Sequence, residues 1–438
     1  MSMPSPEETR ALLGTVLSLS RAEACEVELR GTTEGNLRFA RNTVTTSAAV
    51  RKSRLSVRSR FGQRSGEAAT NEMDDQSLTR TVRISEELAR LAPEDPELVE
   101  VLGPQTYPAV DAYRPATAAA GPELRATAAA KALAEARAQH VVAAGFFSHE
   151  TGWLARATSK GLFGFHPYTV ADFSVTCRTP DETGSGFAVA QATDVSRIDT
   201  GPLTRTACRK ALLSMAPRAI DPGKYTVILE PAAVAEVLPF LYSALDARSA
   251  DEGRSPFSKP GGGTRRGEKL FDERLTVRSD PGHADLAGLP WSDEGLPTAP
   301  TLWIENGVLK NFFYTRYWAQ KQGVAPVPFS GSVVVPGTDS SVDELISQTK
   351  KGILITRIWY ANIVDPQTLL VTGLTRDGTF WLEDGKISYP IKNLRFNQNL
   401  VSMFSQIEAI GTQARVNGDL VPALRVGDFS FTSTSDAT

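Results

Sequence analysis

The tetrapeptide Leu-Thr-Arg-Thr occurs twice, at Leu78–Thr81 and Leu203–Thr206, and each copy opens a stretch of helical periodicity after a pair of strand-like runs. Ahead of the first lie NLRFARNTV and SRLSVRSRFGQRSGEAAT; ahead of the second lie GWLARATSKG and ADFSVTCRTPDETGSGFAVAQAT. Alternating apolar and polar residues around a Gly-containing turn are the signature of antiparallel strands. A recurring unit constrains a chain more than any single element, because both copies must satisfy the same packing. The pattern predicts two diverged β-β-β-α units in one mixed α/β N-terminal domain, residues 1–222. Chance recurrence of a common tetrapeptide is the competing reading. Between the units, residues 91–122 are rich in Pro and Ala and predict an irregular connector, and Glu123–His140 (ELRATAAAKALAEARAQH) predicts a helix from its strong helix formers.

A second region, 223–438, opens on YTVILEPAAVAEVLPFLYSALDA. Tyr225–Leu229 reads as a buried strand, Glu230-Pro231 as a helix start, and Val234, Val237, Leu238, Leu241 and Leu245 as an apolar helical stripe. The polar, Gly-rich segment Ser249–Glu268 reads as a mobile loop. From about residue 275 onward, Asn306-Gly307, Asp377-Gly378 and Asp384-Gly385 sit between strand-like runs and predict primed hairpin turns, since both central residues need positive φ. One embedded helix is predicted, with Asn397 as N-cap, a stripe of Leu400, Met403, Phe404, Ile407 and Ile410, and Gly411 as its stop. The fold class is α+β, a mixed α/β N-terminal domain with a duplicated β-β-β-α unit followed by an antiparallel β-rich C-terminal domain.

Charge and motifs exclude more than they assign. The 47 basic and 50 acidic residues leave a net charge of -3, so no global field points to nucleic acid or an anionic membrane. No run approaches 18 apolar residues, and Met1–Glu8 leads into a short amphipathic helix, so the expected location is the cytoplasm. Cys25, Cys177 and Cys208 lie far apart and read as reduced, buried thiols. His149-Glu150 lacks the second histidine of a zincin helix, since Trp153 and Leu154 occupy the required positions, and it reads as a polar turn before a strand. Gly262 and Gly267 have P-loop spacing, but Glu268 stands where the phosphate-binding lysine belongs. GSGFAV ends in Val189 where a dinucleotide fingerprint needs glycine. Arg54, Arg58, Arg60 and Arg64 share one strand parity, opposite Leu55, Val57 and Phe61. A solvated strand face is the favoured reading, and an electropositive strip for an acidic peptide or nucleic acid is the other.

These segments together resemble the TldD/PmbA family: NLRFARNTVTTS, VILEPAAVAEVL, GRSPFSKPGGGTRRGEKLFDERLTV and, most specifically, GLTRDGTFWLEDGKISYPIKNLRFNQNL, which is similar to the PmbA (TldE) branch. The resemblance implies two-domain subunits that pair as heterodimers around a cavity in which unfolded peptides are cut. In the TldD branch the helix after the middle strand carries H-E-x-x-x-H, two zinc ligands and a water-activating glutamate, with a later cysteine completing the site. A gapless alignment of that strand puts Pro239, Phe240 and Ala244 at those positions, and no cysteine follows Cys208. The resemblance therefore implies a non-catalytic subunit, with no catalytic residue, metal ligand or cofactor of its own, beside a zinc-bearing TldD-like partner. Its substrate would be an unfolded protein or precursor peptide, held through backbone pairing to sheet edges. Arg376, Asp377, Trp381 and Asn397 are the candidate substrate contacts. An autonomous hydrolase with an unrecognised site, a binding module unrelated to proteolysis and a homodimer remain open. Departures from the family pattern fall in the KPGGGTRRGEK loop and the connector around Pro104–Pro122.

Overall fold

A computed structural model of the chain describes residues 3–435. Met1 and Ser2, where the first expected helix was traced from, lie outside the described residues; that helix forms as α1 (Pro6–Leu19). Ser5 starts it with a capping box, its hydroxyl accepting from the Glu8 N–H at 3.0 Å while the Glu8 carboxylate accepts from the Ser5 N–H at 2.8 Å.

Six antiparallel strands follow: β1 (Ala24–Ala40), β2 (Thr43–Phe61), β3 (Arg64–Thr70), β4 (Val142–Thr158), β5 (Phe163–Arg178) and β6 (Ser185–Ala192). Their order in the sheet is β3-β2-β1-β4-β5-β6, so the duplicated units meet through β1 and β4 at the centre. Each unit closes with a helix, α2 (Asp75–Leu91) and α5 (Thr200–Leu213), capped by Asp74 and Asp199. Both copies of Leu-Thr-Arg-Thr begin at the fourth residue after their aspartate cap, which is the equivalence that an internal repeat requires. Each unit also has its own core. Leu13, Val16, Leu78 and Val82 pack on Val27, Leu29, Leu55 and Val57 in the first. Phe147, Phe173 and Val175 pack under Ala207, Ala211 and the predicted central helix, α4 (Pro122–Ala138), in the second. A Cβ on Gly186 would lie 2.2 Å from the Ala207 carbonyl, so this glycine sets how closely α5 approaches the sheet.

Apart from the short α3 (Pro115–Ala118), the connector forms no helix or strand. It crosses the sheet instead: the Leu102 carbonyl accepts from the Thr158 hydroxyl at 2.7 Å, and the Ala112 carbonyl from the Thr169 N–H at 2.9 Å. Tyr107 and Trp291, 4.9 Å apart, cover Gly164.

The second sheet contains β7 (Gly223–Leu229), β8 (Val277–Ser279), β9 (Thr301–Glu305), β10 (Val308–Leu309), β11 (Val333–Val334), β12 (Lys351–Asp365), β13 (Leu370–Glu383), β14 (Lys386–Pro390), β15 (Asn393–Asn399), β16 (Ile407–Val416) and β17 (Asp419–Ser435). It is mostly antiparallel, with parallel pairings of β7 with β12 and β11 with β17. Because β17 pairs with both β15 and β7, the path β7-β12-β13-β15-β17 closes on itself. Around it lie α6 (Pro231–Ser243), α7 (Ala247–Asp251), α8 (Arg316–Gln322), α9 (Val342–Ser347) and α10 (Leu400–Ser405).

Four local expectations change. Asn306-Gly307 and Asp384-Gly385 are hairpin turns, but Asp377-Gly378, at φ 55° and 117°, lies inside β13. Ile355 faces Thr379 whereas Arg357 faces Arg376, so β13 absorbs an extra residue as a bulge; the same left-handed backbone serves a bulge when both flanking runs belong to one strand. Asn399, not Asn397, caps the embedded helix, which ends at Ser405. Ile407 and Ile410 keep helical spacing but pair with Val426 and Leu424 of β17, and Gly411 lies in the same strand, so sheet pairing overrides the local period. His149 and Glu150 stand in the middle of β4 rather than in a turn. Finally, Ser249–Glu268 is anchored: Phe257 is fully buried, and the Ser255 and Ser258 hydroxyls donate to the Ala244 and Ala250 carbonyls at 3.0 and 2.7 Å.

Candidate functional site

The junction from β7 to α6 is built from one polar pair and a sealed apolar face. The Glu230 N–H donates to the Ile355 carbonyl at 3.0 Å, and Pro231 takes the first helical turn, where its missing N–H costs nothing. The Lys210 ammonium of α5 reaches the Glu230 carboxylate at 2.5 Å, and both side chains are nearly buried. Below them Val234, Val237, Leu238 and Leu241 are fully enclosed. Pro239 stands inside the helix, where it deprives the Ala235 carbonyl of its usual donor, a defect worth about 3 kcal/mol in an isolated helix. Phe240 and Ala244 pack against the same core, and the Ala244 carbonyl accepts from Ser255. Nothing at these three positions can ligate a metal or carry a proton. Among the described residues no group of three His, Cys, Asp or Glu side chains could hold a metal ion.

The remaining titratable groups are dispersed. Burial in the first sheet, and then the charge of Arg125, which donates to the ring at 2.9 Å, hold the His149 pKa below the usual value. Burial beside Trp291 pushes His166 down to about 4. Burial raises the Asp419 carboxyl to about 6; it accepts from the Val333 N–H at 2.9 Å and bonds the Tyr242 hydroxyl, so it joins β11, β17 and α6. Cys177 and Cys208 are both buried with their Sγ atoms 3.3 Å apart. Glu268 pairs with Arg265 at 2.9 Å and Lys259 at 3.1 Å, a local clamp. The arginine run is largely neutralised: Arg58 bonds Glu67 at 2.7 Å and Arg60 bonds Glu26, on the wall of a cleft of about 540 Å³ that also holds Glu28, Arg30, Arg54, Arg156 and Arg316. This mixed-charge lining differs from the uniformly cationic strip that nucleic acid needs.

The four candidate substrate residues separate into two environments. Asp377 is buried in the bulge, accepting from the Ser185 hydroxyl at 2.6 Å and pairing with Arg357 at 3.2 Å, so it fastens β6 of the first sheet to β13 of the second. Trp381 is buried against Tyr225 and Tyr389. Neither is available to a ligand. Arg376 and Asn397, by contrast, belong to one sheet face. Trp359, Leu374 and Arg395 are in register across β12, β13 and β15, and Asn362, Thr372 and Asn397 form the next rung. Arg376 lies two residues beyond Leu374 on β13, hence on the same face, with its guanidinium 5.0 Å from the Trp359 ring.

Sequence reading missed Trp359 and Tyr360, which are 40% and 72% exposed at the end of β12. The available signal was the dense apolar run ILITRIWYANIV, longer than its alternation explains. Arg357 is stacked between Phe187 (4.3 Å) and Trp359 (4.8 Å), and beside it a cleft of about 340 Å³ is lined by Phe146, Asp172, Phe187, Ala232 and Glu236. The start of α6, the junction with the first sheet and the exposed end of β12 therefore adjoin one another.

Comparison with known proteins follows this geometry. Residues 222–433 match the PmbA/TldA metallopeptidase C-terminal domain. The metalloprotease PmbA of Escherichia coli O157:H7 is 24% identical over 378 residues, covering 82% of this chain and 80% of that protein. A metalloprotease of Methanothermobacter thermautotrophicus is 24% identical over 248 residues, 53% of this chain and 51% of its own. The crystal structure of TldE from Thermococcus kodakarensis superimposes with a TM-score of 0.85 at 18% identity, covering 98% of this chain and 100% of that one, so the fold is shared throughout. Residues 222–433 thus form a C-terminal domain of the PmbA/TldD metallopeptidase type.

Proposed function

We propose that the chain is a non-catalytic subunit of a zinc-dependent peptidase, which completes a cavity and presents an unfolded protein or precursor peptide to a TldD-like catalytic partner. The observation that carries this reading is the region of α6, where Pro239, Phe240 and Ala244, which the resemblance aligns with the two histidines and the glutamate of the TldD branch, are apolar and packed on the core or inside the helix. A zinc-bound water needs nitrogen, sulfur or carboxylate ligands and a nearby base, and these side chains supply neither. The curated relatives are called metalloproteases. In this chain the residues favour a supporting role within such an enzyme, with zinc in the partner. No helix among the described residues is long and apolar enough to cross a membrane.

The test is metal content and peptidase activity of the purified chain, measured on one sample before and after adding a TldD-like subunit. Absence of bound zinc, with activity appearing only on addition and exceeding that of the partner alone, is the expected result. About one zinc per chain with activity in isolation would overturn the proposal and favour an autonomous hydrolase.

A further inference from the structure

The two halves of the duplicated domain tie their closing helix to the sheet by different chemistry. Ser59 of β2 faces Gly66 of β3, and Cys177 of β5 faces Gly186 of β6, so the two residues hold equivalent places in their units. In the first unit the Ser59 hydroxyl lies 2.7 Å from the Ser85 hydroxyl of α2. In the second, the Cys177 Sγ lies 3.3 Å from the Cys208 Sγ of α5, and neither residue reaches solvent. Hydroxyls serve the same contact in the first unit, so packing alone does not demand two sulfurs here. A disulfide of about 2.05 Å requires each sulfur to move by roughly 0.6 Å. The hydrogen bond between the thiols holds Cys208 below its usual range and Cys177 above it, so Cys208 ionises first. The way in from solvent is the end of α5, where Leu212, Leu213 and Met215 stand 41–44% exposed.

Helix α5 is also the element through which the first sheet grips the second. Two residues after Cys208, the Lys210 ammonium holds the Glu230 carboxylate at the head of α6 at 2.5 Å. At the end of the helix, the Ser214 hydroxyl accepts from the Ser185 N–H and donates to the Ser185 carbonyl, both at 2.8 Å. The Ser185 hydroxyl in turn donates to Asp377 of β13 at 2.6 Å. Whatever fixes α5 against β5 therefore steadies both ties to the second sheet.

We propose that Cys177 and Cys208 are a reversible redox-modification site, oxidised by a hydroperoxide to a disulfide that locks α5 to β5 and stiffens the joint between the two sheets. The Cys208 thiolate attacks the peroxide oxygen and becomes a sulfenic acid, while the departing alkoxide or hydroxide takes up the proton that Cys208 gave away. The Cys177 sulfur then attacks the Cys208 sulfur, the S–S bond forms, and water leaves carrying the Cys177 proton. Two thiols lose two electrons, the hydroperoxide gains them, and an external dithiol reverses the step by exchange. Cause and effect both lie within this chain, so the couple stands apart from the subunit reading.

The experiment exposes the purified full-length chain to hydrogen peroxide, counts free thiols after denaturation and maps the linked peptides. The expected result is loss of two of the three thiols, a Cys177–Cys208 link, and a thermal midpoint raised on the order of 5–10 °C, all reversed by dithiothreitol. Hydrogen exchange should slow along α5 and at the head of α6 in the oxidised chain. Three thiols remaining, oxidation of Cys208 to a sulfinic acid without the link, or a link that leaves exchange at the head of α6 unchanged would overturn the proposal. None of these readouts needs a variant. In Cys177→Ser the link and the rise in midpoint should both be absent, and a midpoint that still rises with peroxide would overturn the lock.

Discussion

Helix α6 and the far end of β12 are both apolar, yet they are apolar for opposite reasons. In α6, Val234, Val237, Leu238 and Leu241 have no solvent exposure, and Phe240 and Ala244 pack against the same core. Along the second half of β12, Trp359, Tyr360, Ile363 and Val364 stay 40–72% exposed. Burial repays an apolar side chain with roughly 1.5–3 kcal/mol of stability; exposure returns almost none, so residues kept exposed need another justification. The two regions therefore separate what holds this chain together from what it offers to others. Substitutions in the first should act on stability, and substitutions in the second on binding.

The sharpest way to break this division lies at the head of α6. Lys210→Met would strand the Glu230 carboxylate in a nearly buried position, and the expected loss is about 3–5 kcal/mol by chemical denaturation. Replacing both partners with apolar residues should recover most of it, because the desolvated charge is gone. If Lys210→Met alone costs less than about 1 kcal/mol, the pair is a surface contact and the junction is less sealed than its geometry states. Leu238→Ala follows, with an expected loss of about 2–5 kcal/mol from a side chain that is completely enclosed.

The two sheets can also be told apart by pH. His166, in the first, is depressed from 6.5 to about 4 by burial, so the unfolded chain binds its proton first and stability rises with pH across that window. Asp419, in the second, is raised from 3.8 to about 6 by burial, so the native chain holds the proton and stability falls as pH rises from about 4 to 6. The contributions oppose each other, and each is on the order of 3 kcal/mol. Asp419→Asn should make stability climb more steeply than the parent between pH 4 and 6, and His166→Gln should do the reverse. Denaturation midpoints at several pH values decide it; parallel curves for all three proteins would remove both assignments.

How much of this was legible in the chain depends on how local the cause is. Asp74 and Asp199 cap helices by contacts within three residues, and Asn306-Gly307 and Asp384-Gly385 turn by their own backbone preference, so these features can be read directly. Asp377-Gly378 has the same preference, but its use as a bulge is decided by Arg357 and by Ser185 of the other sheet. Ile407 and Ile410 have the spacing of a helix, and only β17, closing the strand ring, makes them a strand. Of the candidate contacts, Arg376 and Asn397 share a face because of a three-strand register that no short window contains. Trp359 and Tyr360 were missed because their exposure follows from where β7 stops, more than a hundred residues earlier in the chain.

The smallest expected effect on stability is also the most discriminating. Trp359→Ala should cost about 1 kcal/mol, since its ring packs on the Arg357 and Arg376 guanidiniums, 4.8 and 5.0 Å away, rather than in the apolar core. Tyr360→Gly goes further, because the tyrosine is held at φ 58° with most of its surface in water. Glycine relieves about 1–2 kcal/mol of left-handed strain and gives back roughly 0.5–1 kcal/mol in unfolded-state entropy, so the net change should be a slight gain. A variant that is equally or more stable but supports peptide cleavage by a TldD-like partner less well would show that the strain at Tyr360 serves recognition. Destabilisation by more than about 1 kcal/mol would instead make Tyr360 part of what holds β12 in place, and the contrast between α6 and β12 would then be one of degree.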